Sequence, residues 1–576
     1  MKKLSALVLL MFLILGFAFS AKVIELESNF YSNMDALYAL CGKTNPSTIR
    51  PWTDTEARAI LSKINPNTLT GTAKQLYELL DQEINKTGRM VLDSDTNFDF
   101  KADFAFEAYA HSNTTDFVTD SDWIRGYDKR KPMLKLTVEA EVKDLFYTLM
   151  DIQYGWGRVS TLDQFEYYPD SMISNDGYIG AYKVEGLNPH YAVWSSQYSK
   201  GFATNFMTVG ESLEFETPKR AIVALSGNNW AFNFGRDKIE VGLSQIGNLL
   251  VDNHTDFSEF ANLSFYSERF KFDMLYIFIN TLIKDKEVES DSIKMYMIHM
   301  FEFTHNDKLS FIISENVMSQ QSKLDPLYLN PAFIYHNLNN RGMFNALLYI
   351  SANYMPIKGL NIYGQFAMDQ AQAPYEGDSQ ADASGYLAGL RYTTELANGV
   401  LEAYAEYSCT TPCLYRRDGL DFIRASRYTH NGSDVGTYNS YGRASYFDFI
   451  GTPYGGDFRA IQAGSSYTVP GLVKADFYVQ AMEHGAMNIF KSHNIAGNND
   501  DNANYKEKTP SGPITTRSLT TSLKASFDCS SFFNYPKLSI EAQYDWIGIW
   551  SYTKATKQYS NFKNDHQLSL SVQLGI

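Results

Sequence analysis

The feature that most constrains this chain is a strict alternation of apolar and polar residues, repeated along most of its length. In the stretch 344–369, two alternating segments flank a turn at 355–359. Residues at every second position share one face of a strand, so the stretch predicts an antiparallel hairpin with one apolar face. Each segment has about ten residues, which is also the length of a tilted strand that crosses a bilayer. The stretch therefore predicts the repeat unit of a transmembrane β-barrel.

The alternation begins at Phe98 and predicts a closed antiparallel barrel of about 18 strands. The predicted strands are 98–110, 133–143, 146–156, 221–226, 229–235, 260–266, 270–279, 294–304, 309–316, 344–354, 360–369, 385–393, 401–407, 457–468, 473–484, 517–527, 538–547 and 566–576. Short turns alternate with long loops between them, which is typical of outer-membrane barrels whose short turns face the periplasm. An even number of strands places both termini on the periplasmic side.

The long connections of this barrel are predicted on the opposite, outer side. They are 111–132, 157–220, 236–259, 317–343, 408–456, 485–516 and 548–565. The alternation is weakest at 221–266 and 457–468, and 157–220 is long enough to contain a further pair of strands. A soluble sandwich or propeller is the alternative for an aromatic-rich β chain, but it gives no reason for long and short connections to alternate.

The residues before the barrel predict two further regions. Lys2 and Lys3 precede an apolar run at 4–19 and small residues up to Ser20, as in a secretory signal peptide cleaved after Ser20. A membrane anchor is the alternative, but the run is short for a span. We therefore predict a signal peptide at 1–20, a periplasmic α-helical segment at 21–96 and the barrel at 97–576.

The segment 21–96 has apolar residues at helical spacing. We predict short amphipathic helices at 34–41, 56–64 and 72–85, and Thr53 with Glu56 forms a capping box at the start of the second. Such short helices need a surface to pack on. We expect them to form a small bundle that docks on the periplasmic mouth of the barrel.

Composition excludes several functions. Tyr, Phe and Trp make up 15% of the chain, as expected for the aromatic girdles of a barrel. The formal net charge of −15 argues against a nucleic-acid partner. We find no sequence motif of a hydrolase, a metalloprotease or a phosphate-binding loop, and the histidines lack metal-ligand spacing. We therefore expect no enzyme activity and no cofactor, and a monomer surrounded by outer-membrane lipid.

A set of short motifs is distributed over much of 215–460. The motifs are Gly235-Arg236-Asp237 with Gly242, Leu329-Asn330-Pro331 with Phe333 and His336, Asn345, Tyr363-Gly364-Gln365 with Asp369, Glu406-Tyr407 with Pro412 and Tyr415, and Tyr454-Gly455-Gly456-Asp457. Together they resemble the capsule-assembly Wzi-type outer-membrane family. The resemblance implies a barrel of about 18 strands, with a helical bundle at its periplasmic mouth. It also implies a lectin-like protein that holds capsular polysaccharide on the cell surface.

The candidate glycan-binding residues lie in the predicted loop 408–456. They are Tyr415, Arg416, Arg417, Arg424, Arg427, Tyr428 and Arg443. Aromatic rings stack on the apolar faces of sugars, and guanidinium groups form paired hydrogen bonds with uronate or phosphate. The alternative is that this loop only covers the barrel, with its arginines paired to acids in the lumen. A porin-like diffusion channel is the alternative function.

Four cysteines permit two disulfides in an exported protein. Cys409 and Cys413 flank a short Thr-Thr-Pro segment on the predicted outer side. Cys41 and Cys529 both fall on the predicted periplasmic side. A Cys41–Cys529 bond would link the helices to a barrel turn, and a Cys409–Cys413 bond would close a small loop.

Overall fold

The computed structural model describes most of the predicted barrel and the helical segment. The described residues are 21–86, 90–92, 95–117, 124–125, 129, 131–142, 146–154, 201–205, 218–255, 257–279, 293–330, 332, 334, 343–370, 383–415, 420–430, 442–487, 507–530 and 537–576, with short strands at 163–166, 178–179, 182–183 and 192–195. The predicted signal peptide, most of 157–220 and the middle of 485–516 lie outside them.

The described strands form one closed antiparallel barrel of 18 strands, which confirms the predicted fold class. They are β1 Thr96–His111, β2 Leu134–Val142, β3 Phe146–Tyr154, β4 Ala221–Gly227, β5 Trp230–Asp237, β6 Ser258–Tyr266, β7 Phe270–Ile279, β8 Ile293–His305, β9 Leu309–Gln321, β10 Met343–Ile357, β11 Leu360–Gln370, β12 Ala383–Leu396, β13 Gly399–Thr410, β14 Phe458–Val469, β15 Val473–His484, β16 Ile514–Asp528, β17 Lys537–Thr553 and β18 Gln558–Gly575. Each strand pairs with its neighbours in chain order, and β18 pairs with β1. Closure leaves no open edge.

Short turns collect at one mouth, which we call the turn mouth, and long connections at the other, the loop mouth. Alternate side chains face outward and inward. The outward faces carry exposed apolar residues such as Phe104, Ile313, Leu390, Leu523 and Leu568. This exposed apolar surface suits lipid, and the backbone groups behind it are satisfied by the pairing between strands.

Three helices precede the barrel: α1 Phe30–Leu40, α2 Asp54–Leu61 and α3 Gly71–Ile84. The Thr53 side chain accepts a hydrogen bond from the Glu56 N–H, as the capping box predicts. None of the helices in the described residues is long and apolar enough to cross a membrane.

The helices dock on the turn mouth. The Thr44 N–H donates to the Asp307 carbonyl at 2.7 Å, and the Gly359 N–H donates to the Ala39 carbonyl at 3.2 Å. Lys63 Nζ donates to the carbonyl of Glu268 at 2.7 Å. These contacts reach three different turns, so the helices span the mouth as the predicted bundle does.

The prediction of a long loop at 548–565 is wrong. β17 and β18 continue to Thr553 and Gln558, so that only 554–557 connects them. A register shift lies between Ile549 and Ser551, and Asn561 opposite it has a φ of 53°. This irregularity interrupts the period of two, and for that reason the sequence pattern did not show the extension.

The structure holds all four cysteines as thiols and shows neither predicted disulfide. Cys41 follows α1 beside the β10–β11 turn, next to the Ala39–Gly359 contact. Cys529 follows β16, where its N–H donates to the Leu538 carbonyl. The two residues therefore lie at different turns around the ring, and the predicted link between them is not formed.

Candidate functional site in the barrel lumen

Two long connections fold back into the barrel and fill one half of its lumen. We call this body the plug and define it as 238–255, 411–415, 420–423 and 449–457. Its residues join inward side chains of β6 to β12 in one buried apolar cluster. That cluster includes Val241, Leu243, Leu249, Leu250, Val251, Phe260, Tyr296, Tyr349, Tyr363, Leu414, Tyr415, Phe422 and Phe449. The lumen on this side is therefore a packed core.

The plug reaches from the loop mouth to the helical segment. The short strand Glu240–Val241 pairs with Ile49–Arg50, just before α2. The Gly242 N–H then donates to the carbonyl of Thr48 at 3.0 Å. Because these contacts join a loop-mouth connection to the docked helices, the plug closes its half of the barrel along its full height.

A buried carboxylate holds the plug on β13. Glu406 is 2% exposed and accepts hydrogen bonds from the Gln245 N–H at 2.8 Å and the Ile246 N–H at 3.0 Å. It also accepts from the hydroxyls of Ser244, at 3.1 Å, and Tyr363, at 2.5 Å. A carboxylate that satisfies two backbone donors fixes the turn of the plug that carries them.

Gln365 fixes the next residues of the plug. Its Nε2 donates to Asn248 Oδ1 at 2.7 Å, and its Oε1 accepts from the Leu249 N–H at 2.9 Å. Gly242 lies against this contact with a φ of +129°, and a Cβ there would come within 2.0 Å of Asn248 Oδ1. Position 242 thus needs glycine for both conformation and space.

The motifs that carry the family resemblance share this structural role. Tyr415 donates to the Leu249 carbonyl at 2.6 Å. Asp457 accepts from the Ser511 N–H at 2.7 Å and the Met487 N–H at 3.0 Å. Asn345 Nδ2 donates to the Leu420 carbonyl at 3.0 Å. With Gly242, Tyr363, Gln365 and Glu406, these residues specify how the loops fold into and over the lumen.

The other half of the lumen contains a cavity of about 930 Å³. Its wall is formed by inward residues of β14 to β18 and β1 to β3, with part of the helical segment. The charged residues in the wall are Glu25, Glu27, Asp103, Arg125, Lys129, Lys131, Lys135, Asp151, Lys219, Lys474, Asp476, Lys524, Asp528, Lys537 and Glu541. Charges of both signs in a cavity of this size indicate a water-filled space.

Several described residues between β1 and β2 line this cavity, and we call them the inner loop: Ile124, Arg125, Lys129, Lys131 and Pro132. Arg125 places Nη2 2.6 Å from Glu107 Oε1 and Nη1 2.8 Å from Glu541 Oε1. Lys524 Nζ approaches the other oxygen of Glu541 at 2.9 Å. Burial lowers the pKa of Lys131, although Glu541 and Glu107 oppose this. The inner loop is therefore held by a chain of ion pairs between β1 and β17.

The structure separates the predicted glycan-binding residues. Tyr415 is 1% exposed in the plug core, and Arg424 is 6% exposed and donates through Nη2 to the Phe257 carbonyl. These two residues therefore stabilise the interior of the barrel. Neither belongs to an accessible sugar-binding surface of the kind that was predicted.

Three other candidates lie on a hairpin at the loop mouth. Arg427 and Tyr428 belong to the strand Ile423–His430, and Arg443 belongs to its partner Gly442–Phe449. The register places Arg427 opposite Ser445, and Arg443 opposite Thr429. Arg416 and Arg417 lie outside the described residues. Glycan binding by this hairpin remains a prediction.

Sequence reasoning missed the plug. The connection 236–259 was predicted as an outer loop, yet it carries Ile239, Val241, Leu243, Ile246 and the run 249–251. So many apolar residues are unusual in a loop that faces water. That composition was the available signal for insertion into the lumen.

The fold and the lumen define the class of this protein as a closed 18-stranded β-barrel of the outer-membrane type, with an internal plug. The solved structure of Wzi, an outer-membrane protein involved in group 1 capsule assembly in Escherichia coli and described as a carbohydrate-binding β-barrel, matches with a TM-score of 0.53 at 11% identity. The match covers 96% of this chain and 99% of that one. The predicted resemblance is thereby confirmed at the level of the fold.

Two further structures match less well. Pseudomonas aeruginosa OccD3 (OpdP) has a TM-score of 0.38 at 9% identity and covers 89% of this chain and 97% of its own. Acinetobacter baumannii OccAB4 has a TM-score of 0.37 at 11% identity and covers 84% of this chain and 100% of its own. No family model and no curated protein matches the chain.

Proposed function

We propose that this protein resides in the outer membrane, with its turn mouth in the periplasm, and binds surface polysaccharide at its loop mouth. The observation that carries the proposal is the plug, because two long connections fill half of the lumen and hold the loop-mouth hairpin in place. The protein of similar fold that binds carbohydrate supports this proposal. We propose binding without catalysis or a cofactor.

The hairpin Ile423–His430 and Gly442–Phe449 is the proposed recognition element. At its base, Phe449 belongs to the buried apolar cluster of the plug, and Arg424 donates to the carbonyl of Phe257, just beyond the plug. The plug therefore holds the hairpin at the loop mouth, with the positions of Arg427 and Arg443 further along its two strands. Guanidinium groups at these positions suit the carboxylates or phosphates of an acidic polysaccharide.

The test uses the full chain, folded in detergent, and a panel of acidic and neutral surface polysaccharides. We expect saturable binding of an acidic polysaccharide. The double variant R427Q/R443Q should weaken it by about tenfold or more, since each charge-assisted contact contributes roughly 1.5–3 kcal/mol. R58Q is the matched control, because Arg58 is a half-exposed arginine of α2 at the opposite mouth. Absence of binding to any glycan, or equal binding by the double variant, would reject the proposal.

The cavity favours a second candidate function, a porin-like diffusion channel. It lies beside the plug and is lined by charges of both signs, including those of the inner loop. Single-channel recording in planar bilayers distinguishes the two functions. Steady open-channel conductance together with no glycan binding would favour the channel, whereas a closed barrel that binds polysaccharide would favour the surface receptor.

A further inference from the structure

A row of charged side chains lies on the outer wall of the barrel near the loop mouth. Arg459 of β14, Glu483 of β15 and Arg517 of β16 are direct register partners, and Trp550 of β17 lies opposite Arg517. The next outward row toward the turn mouth consists of Ile461, Ala481, Leu519 and Gly548. The charged row thus begins where the apolar, lipid-facing band ends.

The row carries a net positive charge. Glu483 receives Arg459 Nη2 at 2.6 Å on one oxygen and Arg517 Nε at 3.1 Å on the other. Two guanidinium groups therefore share one carboxylate, in a chain whose formal net charge is −15. The Arg459 side chain is 48% exposed. The surface is suited to an anion that approaches from the side of the barrel.

Aromatic rings extend this surface along the β17–β18 hairpin. Trp550 stacks on Phe562 with ring centroids 5.1 Å apart, and Tyr552 lies 5.0 Å from Tyr559. The Arg517 guanidinium lies over the Tyr552 ring, 3.6 Å from its centroid. Tyr559 and Phe562 are more than half exposed. The positive row is thus bordered by accessible aromatic faces above the lipid-facing band.

We infer that this surface, Arg459, Glu483, Arg517, Trp550, Tyr559 and Phe562, binds the phosphorylated sugar headgroup of a glycolipid in the surrounding leaflet. Guanidinium groups recognise phosphate, and aromatic faces pack against sugar rings. We infer a lipid headgroup as the ligand from the position of the surface, because it faces away from the lumen at the level where headgroups begin. The inference depends on the proposed outer-membrane location and is independent of polysaccharide binding by the 423–449 hairpin.

The test measures glycolipid retained by the full chain in detergent micelles with native mass spectrometry. The probes are a diphosphorylated glucosamine-disaccharide lipid, the same lipid without phosphate, and phosphatidylglycerol. We expect the diphosphorylated lipid to bind best. R459Q/R517Q should reduce its binding by about tenfold or more. Arg236 provides the matched control R236Q, because it forms a one-to-one pair with Glu259 at 3.3 Å on another arc of the same rim.

A second variant tests the aromatic part. W550A/F562A should weaken binding about threefold, with the preference for phosphate retained. Heat-dependent gel mobility verifies that each variant is folded. Equal retention by folded R459Q/R517Q, equal binding of the lipid without phosphate, or an equal loss in R236Q would overturn the inference. Polysaccharide binding should be unchanged in R459Q/R517Q, so that failure of the two proposals can be told apart.

Discussion

The two halves of the lumen accommodate the inward side chains of the barrel in different ways. In the half lined by β6 to β12, the inward side chains meet a plug made by the chain itself and become a buried core. In the half lined by β14 to β18 and β1 to β3, they face a cavity of about 930 Å³ lined by charges of both signs. The strands of both halves have the same alternation, so the difference comes from the connections.

Because of this difference, we expect the two halves to govern different properties of the protein, its stability and its permeability. A plug held by buried charge-assisted hydrogen bonds cannot move without leaving donors and acceptors unsatisfied, which is costly inside a protein. The ion pairs of Arg125 are also buried, so that their loss is costly too, but they border the cavity. We therefore expect substitutions in the plug to lower stability most, and substitutions in the inner loop to change permeability.

The largest effect is expected for Glu406→Ala. The substitution removes the acceptor of the Gln245 N–H and leaves the Ile246 N–H only the Ser244 hydroxyl, at 3.1 Å. We expect a loss of about 3–5 kcal/mol in the free energy of unfolding, measured by denaturant unfolding in vesicles. Glu402→Ala is the control, because Glu402 lies four residues away on β13 and makes longer contacts, 3.5 Å to Arg391 and 3.4 Å to the Thr393 hydroxyl. Equal losses in both variants would show that the plug is not specifically anchored.

Arg125→Ala is expected to have the next largest effect, on conductance. Without the guanidinium, Glu107 and Glu541 repel each other and the inner loop loses its ion pairs. We expect a loss of about 3 kcal/mol in stability and longer or larger openings in planar bilayers. The matched comparison is Glu406→Ala, which should alter stability more and conductance less. The reverse pattern would assign the permeability barrier to the plug.

Alanine substitutions at two glycines test the plug next. Comparing their losses in stability distinguishes steric crowding from an unfavourable backbone conformation. Gly242→Ala places a Cβ 2.0 Å from Asn248 Oδ1, whereas Gly471→Ala meets only Leu79 Cδ1 at 3.7 Å. Both have positive φ, +129° and +68°. We expect losses of about 3 kcal/mol for Gly242→Ala and about 1 kcal/mol for Gly471→Ala, measured by thermal unfolding. Similar losses would mean that the plug yields easily around Gly242.

The sequence predicted the wall of this barrel much better than its interior. The alternation of apolar and polar residues predicts the strands and their inward side chains, but it predicts the same environment for Gln365 and Gln543. In the structure, Gln365 accepts the Leu249 N–H from 116 residues away, whereas Gln543 pairs with Asp545 two residues away. A local pattern cannot show which connection enters the lumen. Tyr415 was misassigned for this reason, since a tyrosine suits both a sugar-binding face and a buried contact.

The helical segment meets both halves, and its two acidic contacts should respond to pH in opposite directions. Glu56 lies 2.6 Å from Lys271. Burial, together with the nearby Asp273 and Glu302, raises its pKa to about 7 in spite of Lys271. Glu25 borders the cavity, and Lys135, with Arg220, lowers its pKa to about 2 against the effect of burial.

The direction of each pH effect depends on whether the folded or the unfolded state binds the proton of the glutamate more tightly. The folded state retains the Glu56 proton, so this contribution to docking is present at low pH and is lost as pH rises from the ordinary glutamate pKa, about 4.3, toward 7. The contribution of Glu25 is present above the ordinary value and is lost as pH falls toward 2. Hydrogen exchange of α1 to α3 between pH 3 and about 8 measures both effects. Glu56→Gln should flatten the upper part of the profile and Glu25→Gln the lower part. If either variant flattens the opposite part, the two halves do not hold the helices as the structure indicates.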